Sequence, residues 1–238
     1  MTSSAAENLE LYFAPDSCAR VTLVALEETG HPYELKVVAF VQGQHRSAEY
    51  LALNPKGKVP TLVVNGEPLT ENVAILSWLA ARYPDAALMP AVDGPLARAR
   101  QLADLSFCAS GLHPIVTRLR IPQYFCDTPD GVGRVFELAA AAMRPNFAMI
   151  EQRLAGAPWW YGETWSVMDA YINWVWFRVT GAGFDAAAYP NFARHDAQIR
   201  RRPSVMRALA VNQKVADDLA ARGLAVKFSG PGAVRAPT

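Results

Sequence analysis

Residues 54–60 read NPKGKVP, and the short β-prone run TLVV follows at residues 61–64. A proline has no N–H to donate to a sheet, so it is normally excluded from a central strand. Pro60 therefore marks the entrance of a strand, where an X-Pro bond is sometimes cis. One use of such a turn is to expose the backbone of the preceding residue, Val59, to a ligand.

The sequence on both sides of this turn predicts a small α/β domain. Strands are expected in LELYF, YELKVV, TLVV and EPLT, with the last two joined by the hairpin signal Asn65-Gly66. Helices are expected in CARVTLVALEETG, SAEYLALN and ENVAILSWLAARYP. Residues 9–83 therefore read β-α-β-α-β-β-α, and the helical crossover predicts that the first two strands are parallel.

The second half of the chain has a helical character. Residues 84–95, PDAALMPAVDGP, hold three prolines and one glycine, as a linker does. Helical runs follow at 96–119, 131–154 with a kink at Pro145, 166–179, 192–202 and 204–221. Ser166 and Asp169 have the spacing of a capping box. We expect an α/β domain at 8–84, a linker at 85–94, an all-helical domain at 95–226 and a flexible tail at 227–238.

Composition and charge exclude several function classes. The chain has 238 residues, 51% of them apolar, and a net charge of +1 without a basic stripe, which argues against a nucleic-acid partner. No apolar stretch reaches membrane-span length and the N-terminus lacks a secretory pattern, so we expect a cytoplasmic protein without membrane contact. Cys18, Cys108 and Cys126 have no CxxC spacing, so reduced thiols are expected and no metal site.

The order NPKGKVPTL, hairpin, LTENVAILSWLAARYP and helical half resembles the glutathione transferase family over nearly the whole chain. SVMDA at 166–170 is similar to the buried capping box of that family. The resemblance implies an α/β N-terminal thioredoxin-like domain plus an all-α C-terminal domain. It also implies a homodimer, with the first domain of one subunit against the helical domain of the other, and a bacterial enzyme of detoxification that uses glutathione as co-substrate.

The same resemblance implies how glutathione is held. Pro60 would be cis, and Val59 would offer its N–H and C=O to the cysteinyl backbone of glutathione, like a strand added to a sheet edge. Glu71 and Asn72 begin a helix, whose free N–H groups and dipole attract the γ-glutamyl carboxylate. Glu71 can accept from the ligand's ammonium. Asn72 stands where the family has serine, and its amide can also donate.

Cys18 is the predicted chemical centre, because it begins the first helix, where a thiolate is stabilised over a thiol. Aligned through ALEETG, Cys18 matches the reactive cysteine of bacterial beta-class transferases, which can form a mixed disulfide with glutathione. The segment SGLHP at 110–114 is similar to that class too. This likeness implies that Ser110 contacts glutathione and that His113 contributes to the active site from the helical domain.

Other residues keep alternatives open. Ser17 adjoins Cys18, and serine-type classes use a hydroxyl in this loop to hold the glutathione thiolate. The stretch VQGQH resembles the theta class, in which the histidine matching His45 helps to bind the glycyl end. Lys58 could pair with the carboxylate of that glycyl end. Tyr12 lies inside the first strand, where packing in the core is the expected role.

These residues predict a glutathione-dependent enzyme. The glutathione thiolate would attack a small hydrophobic electrophile in an apolar cleft beside His113, Ile115, Val116 and Trp174, or a disulfide would be exchanged through Cys18. One alternative is a non-catalytic scaffold or ligand-binding protein with the same fold. Another is a glutathione-dependent isomerase or ether-cleaving enzyme that uses the same site.

Overall fold

The computed structural model describes residues 7–226, so the predicted tail at 227–238 lies outside the described residues. The described chain divides into two compact units. The first contains residues 7–88 together with Pro203–Val226, and the second contains Met89–Arg202.

The first unit is built on a four-stranded mixed sheet. Its elements are β1 (Leu9–Phe13), α1 (Ala19–Thr29), β2 (Glu34–Val37), α2 (Ala48–Leu53), β3 (Thr61–Val64), β4 (Glu67–Thr70) and α3 (Asn72–Arg82). The strand order is β2-β1-β3-β4, with β1 parallel to β2 and antiparallel to β3, and β3 antiparallel to β4. The predicted β-α-β-α-β-β-α thioredoxin-like order is confirmed.

Local sequence explains these elements well. In β1 the side chains of Leu9, Leu11 and Phe13 are buried, whereas the two residues between them are partly exposed, as period-two alternation requires. The turn between β3 and β4 places Asn65 at φ 50° and Gly66 at φ 91°. Two positive φ angles in succession are typical of a two-residue hairpin turn, which is why Asn-Gly predicts one.

The last helix, α9 (Pro203–Ala221), belongs to the first unit, whereas the sequence pattern predicts it within the helical domain at 95–226. It packs along α1, where Arg207 Nε donates to Glu27 Oε2 at 2.7 Å. An amphipathic pattern shows that a helix buries one face but does not show which neighbour covers it. The domain boundary therefore differs from the predicted one for this reason.

The second unit is helical. Its elements are α4 (Pro95–Ser106), a π-helical segment (Phe107–Leu112), α5 (His113–Arg120), α6 (Pro129–Leu154), α7 (Val167–Thr180) and α8 (Pro190–Ile199), and short 3-10 turns lie elsewhere in the chain. The run predicted at 96–119 is thus interrupted by six residues in a π-helix. Helix α6 continues through Pro145 without ending.

Helix α7 is the central helix of the second unit, since its residues 167–175 are all buried. The predicted capping box is present at its start: Met168 N–H donates to Ser166 Oγ, and Ser166 N–H donates to Asp169 Oδ2. Neighbouring helices of the unit cover α7, which is why most of its residues are apolar, with Asp169 and Asn173 as buried polar exceptions. Among residues 7–226, no helix combines the length and hydropathy needed to cross a membrane.

Candidate functional site

Cys18 and Val59 are brought together in the first unit. Cys18 is the residue directly before α1, where its side chain makes no capping hydrogen bond, and it is 9% exposed. Its Sγ donates to the carbonyl oxygen of Val59 at 3.4 Å. The Val59–Pro60 peptide bond is cis. Within residues 7–226 the N–H of Val59 has no hydrogen-bond partner, so one main-chain donor beside the thiol is left for a ligand.

Two buried side chains hold the turn on which Val59 lies, and neither of them is among the residues predicted from the sequence. Tyr50 Oη donates to the carbonyl oxygen of Lys58 at 2.6 Å and lies 3.0 Å from Thr61 Oγ1. Asn54 Nδ2 donates to the same two oxygens, at 2.7 and 3.1 Å. The position of Asn54 at the start of NPKG was the available signal. The residues before and after Val59-Pro60 are therefore anchored from within the unit.

His45 lies beside this turn. Gly57 has φ 61°, and a Cβ there would lie 2.9 Å from the carbonyl oxygen of His45, so only glycine fits the close approach. The His45 ring meets Phe40 edge-on at 4.8 Å, and its Nδ1 is enclosed without a hydrogen-bond partner. Burial, followed by the charge of Arg46, lowers the pKa of His45. Its imidazole is thus neutral at pH 7, whereas Lys58 is an exposed cation.

Glu71 and Asn72 mark the start of α3, but their side chains point to different partners. Glu71 is exposed at φ 73°, and its Oε1 lies 2.8 Å from Lys56 Nζ. Asn72 is 5% exposed; its Nδ2 donates to the carbonyl oxygen of Cys18 at 3.0 Å, and its Oδ1 accepts from Thr22 Oγ1 at 2.7 Å. The Asn72 amide therefore joins α3 to α1, and its predicted contact with a ligand carboxylate stays a prediction. The main-chain N–H groups at the start of α3 remain for an anion.

Ser17 and Tyr12 have local partners. The hydroxyl of Ser17 donates to the carbonyl oxygen of Ala14 at 2.6 Å and accepts from the N–H of Ala19 at 3.2 Å. It therefore serves the turn that precedes α1. Tyr12 is partly buried in β1, with its ring 5.6 Å from that of Tyr50, which agrees with the packing role expected for it.

The remaining predicted residues lie in the second unit, on or near the π-helical segment. Ser110 is exposed and its hydroxyl donates to the carbonyl oxygen of Ser106 at 2.7 Å. His113 is partly buried, with its ring edge-on to Trp174 at 4.7 Å. Ile115 is partly exposed, whereas Val116 and Trp174 are each 2% exposed. Val116 and Trp174 are thus buried within the second unit, and their role as pocket residues stays a prediction.

The three cysteines are free thiols in different environments. Cys108 is fully buried, and burial followed by the charges of Asp104 and Asp169 raises its pKa, so it stays a thiol. The hydroxyl of Thr128, and then its N–H, lowers the pKa of Cys126. Within the described residues, no group of three or more His, Cys, Asp or Glu side chains is arranged to hold a metal ion.

Comparison with known proteins finds a matching family model and several similar proteins. The family model for the glutathione S-transferase N-terminal domain matches residues 7–81. Glutathione S-transferase GST-4.5 of Xanthomonas campestris is 31% identical over 168 residues, which cover 69% of this chain and 79% of that protein. Maleylacetoacetate isomerase of Pseudomonas aeruginosa is 28% identical, covering 86% and 96%. Disulfide-bond oxidoreductase YfcG of Escherichia coli is 28% identical, covering 84% and 94%.

Solved structures of glutathione S-transferases also match this chain. A sphingomonad glutathione S-transferase complexed with glutathione matches with a TM-score of 0.75 and 33% identity, covering 86% of this chain and 98% of that one. The bacterial beta-class glutathione S-transferase of Sphingomonas chungbukensis matches with a TM-score of 0.74 and 32% identity, covering 85% and 98%.

Proposed function

Because this chain belongs to the glutathione S-transferase family, we propose that it is a glutathione-dependent enzyme whose bound thiolate attacks a small hydrophobic electrophile or a disulfide. The observation that carries this proposal is the 3.4 Å contact between Cys18 Sγ and the carbonyl oxygen of Val59. This contact supports the proposal, because the Cys18 sulfur lies beside the main-chain groups that would hold the cysteinyl part of glutathione.

Binding would use main-chain groups first. The N–H of Val59, which lacks a partner within residues 7–226, and its C=O would pair with the cysteinyl backbone of glutathione. The N–H groups at the start of α3 would take the γ-glutamyl carboxylate, since a helix N-terminus favours an anion. Glu71 would accept from the ligand's ammonium. Lys58, with neutral His45 as a further donor, would meet the glycyl carboxylate.

Two reactions are compatible with this site. In conjugation, the glutathione sulfur forms a bond to an electrophilic carbon, and the leaving group departs with the bonding electron pair. In exchange, the Cys18 thiolate attacks a sulfur of glutathione disulfide. A Cys18–glutathione disulfide forms, and one glutathione thiolate leaves with the electron pair. The cysteine at position 18 supports the second reaction, as does the likeness to a disulfide-bond oxidoreductase.

Isomerisation is a second candidate. The likeness to a maleylacetoacetate isomerase, which covers 86% of this chain, supports it. In such a reaction the glutathione sulfur would add to the substrate and leave again after rotation about the weakened bond, so glutathione would be regenerated. A screen of electrophiles, disulfides and cis-unsaturated acids, read for glutathione consumption, distinguishes the two: isomerisation converts substrate without consuming glutathione.

The assembly expected from the family is a homodimer, which we include in the proposal. Exposed leucines on α4 and α6, Leu96, Leu102 and Leu138, support a further interface in the second unit. Light scattering of the purified protein would give twice the 26.0 kDa chain mass. A cytoplasmic location stays a prediction from the sequence.

Titration calorimetry with glutathione on the reduced protein tests binding. We expect affinity in the micromolar to low millimolar range, weakened when Glu71→Ala removes the acceptor for the ligand's ammonium. Glu137→Ala, which removes an exposed carboxylate of α6, is the matched control and should bind as the wild type does. No heat and no competition at several millimolar would contradict a glutathione enzyme and favour the non-catalytic scaffold.

Exposure to glutathione disulfide tests the exchange reaction. We expect intact-mass analysis to show an adduct that peptide mapping places on Cys18. Cys18→Ala should abolish that adduct, whereas Cys126→Ser should leave it in place. Peptide mapping keeps any adduct at Cys126 separate, and a wild-type protein without an adduct at Cys18 would show that Cys18 does not have this role.

A further inference from the structure

The loop that precedes Cys18 contains an unusual backbone conformation. Asp16 has φ 60°, in the left-handed region that residues with a Cβ rarely adopt. Aspartate tolerates this region better than most residues do, but tolerance alone does not select it. Ser17 and Cys18 follow directly, so the direction in which the chain leaves Asp16 decides where the thiol lies.

Asn212, 196 positions away on α9, holds Asp16 from two sides. Its Oδ1 accepts from the main-chain N–H of Asp16 at 2.8 Å, and its Nδ2 donates to Asp16 Oδ1 at 3.0 Å. Asn212 is 6% exposed, although an asparagine on a solvated helix face would ordinarily be exposed. Both ends of its amide are therefore used in fixing one residue.

Helix α9 has a second attachment to α1, at the opposite end. Arg207 donates from Nε to Glu27 Oε2 and from Nη2 to the carbonyl oxygen of Glu27, each at 2.7 Å. Both attachments start from α9, but that of Arg207 reaches α1, whereas that of Asn212 reaches the loop before Cys18. A variant of Arg207 is thus a matched control for loosening α9.

We propose that Asn212 is a positioning residue, which holds the Asp16–Ser17 turn so that the Cys18 thiol stays shielded against the carbonyl oxygen of Val59. The importance of this role rests on the proposed function of Cys18. The contacts themselves do not, since they concern the chain without glutathione.

Four variants isolate the pair. Asn212→Asp keeps the shape of the side chain but places a carboxylate against that of Asp16, so one hydrogen bond is lost and like charges meet. In the Asp16→Asn/Asn212→Asp double variant, the new carboxylate accepts from both the N–H and the side-chain amide of residue 16. Asp16→Asn alone shows the effect of removing the charge of Asp16, and the double variant is compared with it. Arg207→Ala removes the other attachment.

The measurement is the rate at which iodoacetamide alkylates Cys18 in the reduced full-length protein without glutathione, followed by peptide mass spectrometry. Cys126 in the same molecules is the internal reference. Losing a hydrogen bond that involves a charged group should increase the open population of the loop, so Asn212→Asp should raise the rate at Cys18 by about tenfold. The double variant should return to the rate of Asp16→Asn, and Arg207→Ala should match the wild type.

An unchanged or slower rate for Asn212→Asp would overturn the proposal, as would an equal rise in Arg207→Ala, which would indicate general loosening. Circular dichroism checks that each variant folds. If Asn212→Asp does not fold, Asn212→Ala replaces it, with a rise in the same direction expected. A protein that binds no glutathione but shows this alkylation pattern would refute the proposed function alone.

Discussion

The side-chain amide of Asn72 donates a hydrogen bond to the main-chain carbonyl oxygen of Cys18 at 3.0 Å. Its other end accepts from the Thr22 hydroxyl at 2.7 Å. The first residue of α3 is thereby joined to the start of α1. Since the proposed site uses the N-terminal ends of both helices, one buried asparagine sets the distance between its nucleophile and its anion-binding end.

Replacing Asn72 should lower stability. In Asn72→Ala the Cys18 carbonyl loses its side-chain donor and the buried Thr22 hydroxyl loses its acceptor, so we expect the free energy of unfolding to fall by about 2–4 kcal/mol. Urea denaturation measures this loss. Asn146→Ala, which removes a hydrogen bond on an exposed face of α6, should change the same quantity by no more than about 0.5 kcal/mol. Equal losses in the two variants would refute the role given to Asn72.

Replacing Tyr50 should weaken the binding of glutathione and leave the binding of the second substrate unchanged. Burial raises the pKa of Tyr50, so its hydroxyl is protonated and can donate to the Lys58 carbonyl oxygen at neutral pH. In Tyr50→Phe that donor is lost, and we expect KM for glutathione to rise by about three- to tenfold with kcat unchanged. Steady-state kinetics with each substrate varied in turn test this split.

Tyr33→Phe is the control for that experiment. It also removes one tyrosine hydroxyl of the first unit, which is part-buried and donates to Glu27 Oε1 at 2.6 Å, away from the turn at Val59. Its KM for glutathione should stay at the wild-type value. A drop in kcat with KM unchanged in Tyr50→Phe would mean that Tyr50 acts on the chemical step instead.

Asp169 should be the most costly carboxylate to remove from the second unit. It is fully buried and accepts from Trp160 N–H, Ser166 N–H and the Ser166 hydroxyl, and its Oδ1 lies 3.0 Å from His195 Nε2. We expect Asp169→Ala to lower the free energy of unfolding by about 3–5 kcal/mol, because these buried donors lose their partner.

Thermal and urea unfolding of the same protein measure that loss. Asp185→Ala, which removes an exposed turn carboxylate, is the matched control and should cost no more than about 0.5 kcal/mol. A loss below about 1 kcal/mol for Asp169→Ala would show that water or a rearranged side chain satisfies the donors.

Cys126 should be reactive at lower pH than an ordinary thiol. The Thr128 hydroxyl lowers the pKa of Cys126, so the reactive thiolate is present at a pH where a free thiol is still protonated. In Thr128→Val this hydroxyl is lost, and the pH profile of Cys126 alkylation should move to higher pH. Peptide mass spectrometry across pH 6–9 would follow it, and an unmoved profile would contradict the assigned cause.

Features that depend on neighbouring residues were predictable from the sequence. The alternation of β1, the Asn65-Gly66 turn and the capping box of Ser166 and Asp169 are each formed by residues a few positions apart. Each of them depends on residues that are close in the sequence, so the sequence alone is enough to predict them. The position of Cys18 at the start of α1 was predictable on the same ground.

The sequence by itself thus determined the order of the elements and the local chemistry at their ends. Only the tertiary structure decided that Asn72 binds α1, that Tyr50 supports the turn at Val59, and that Asn212 reaches Asp16. The physical reason is that such hydrogen bonds join residues from different elements, and nothing in a periodic pattern specifies which buried donor meets which acceptor once the elements pack.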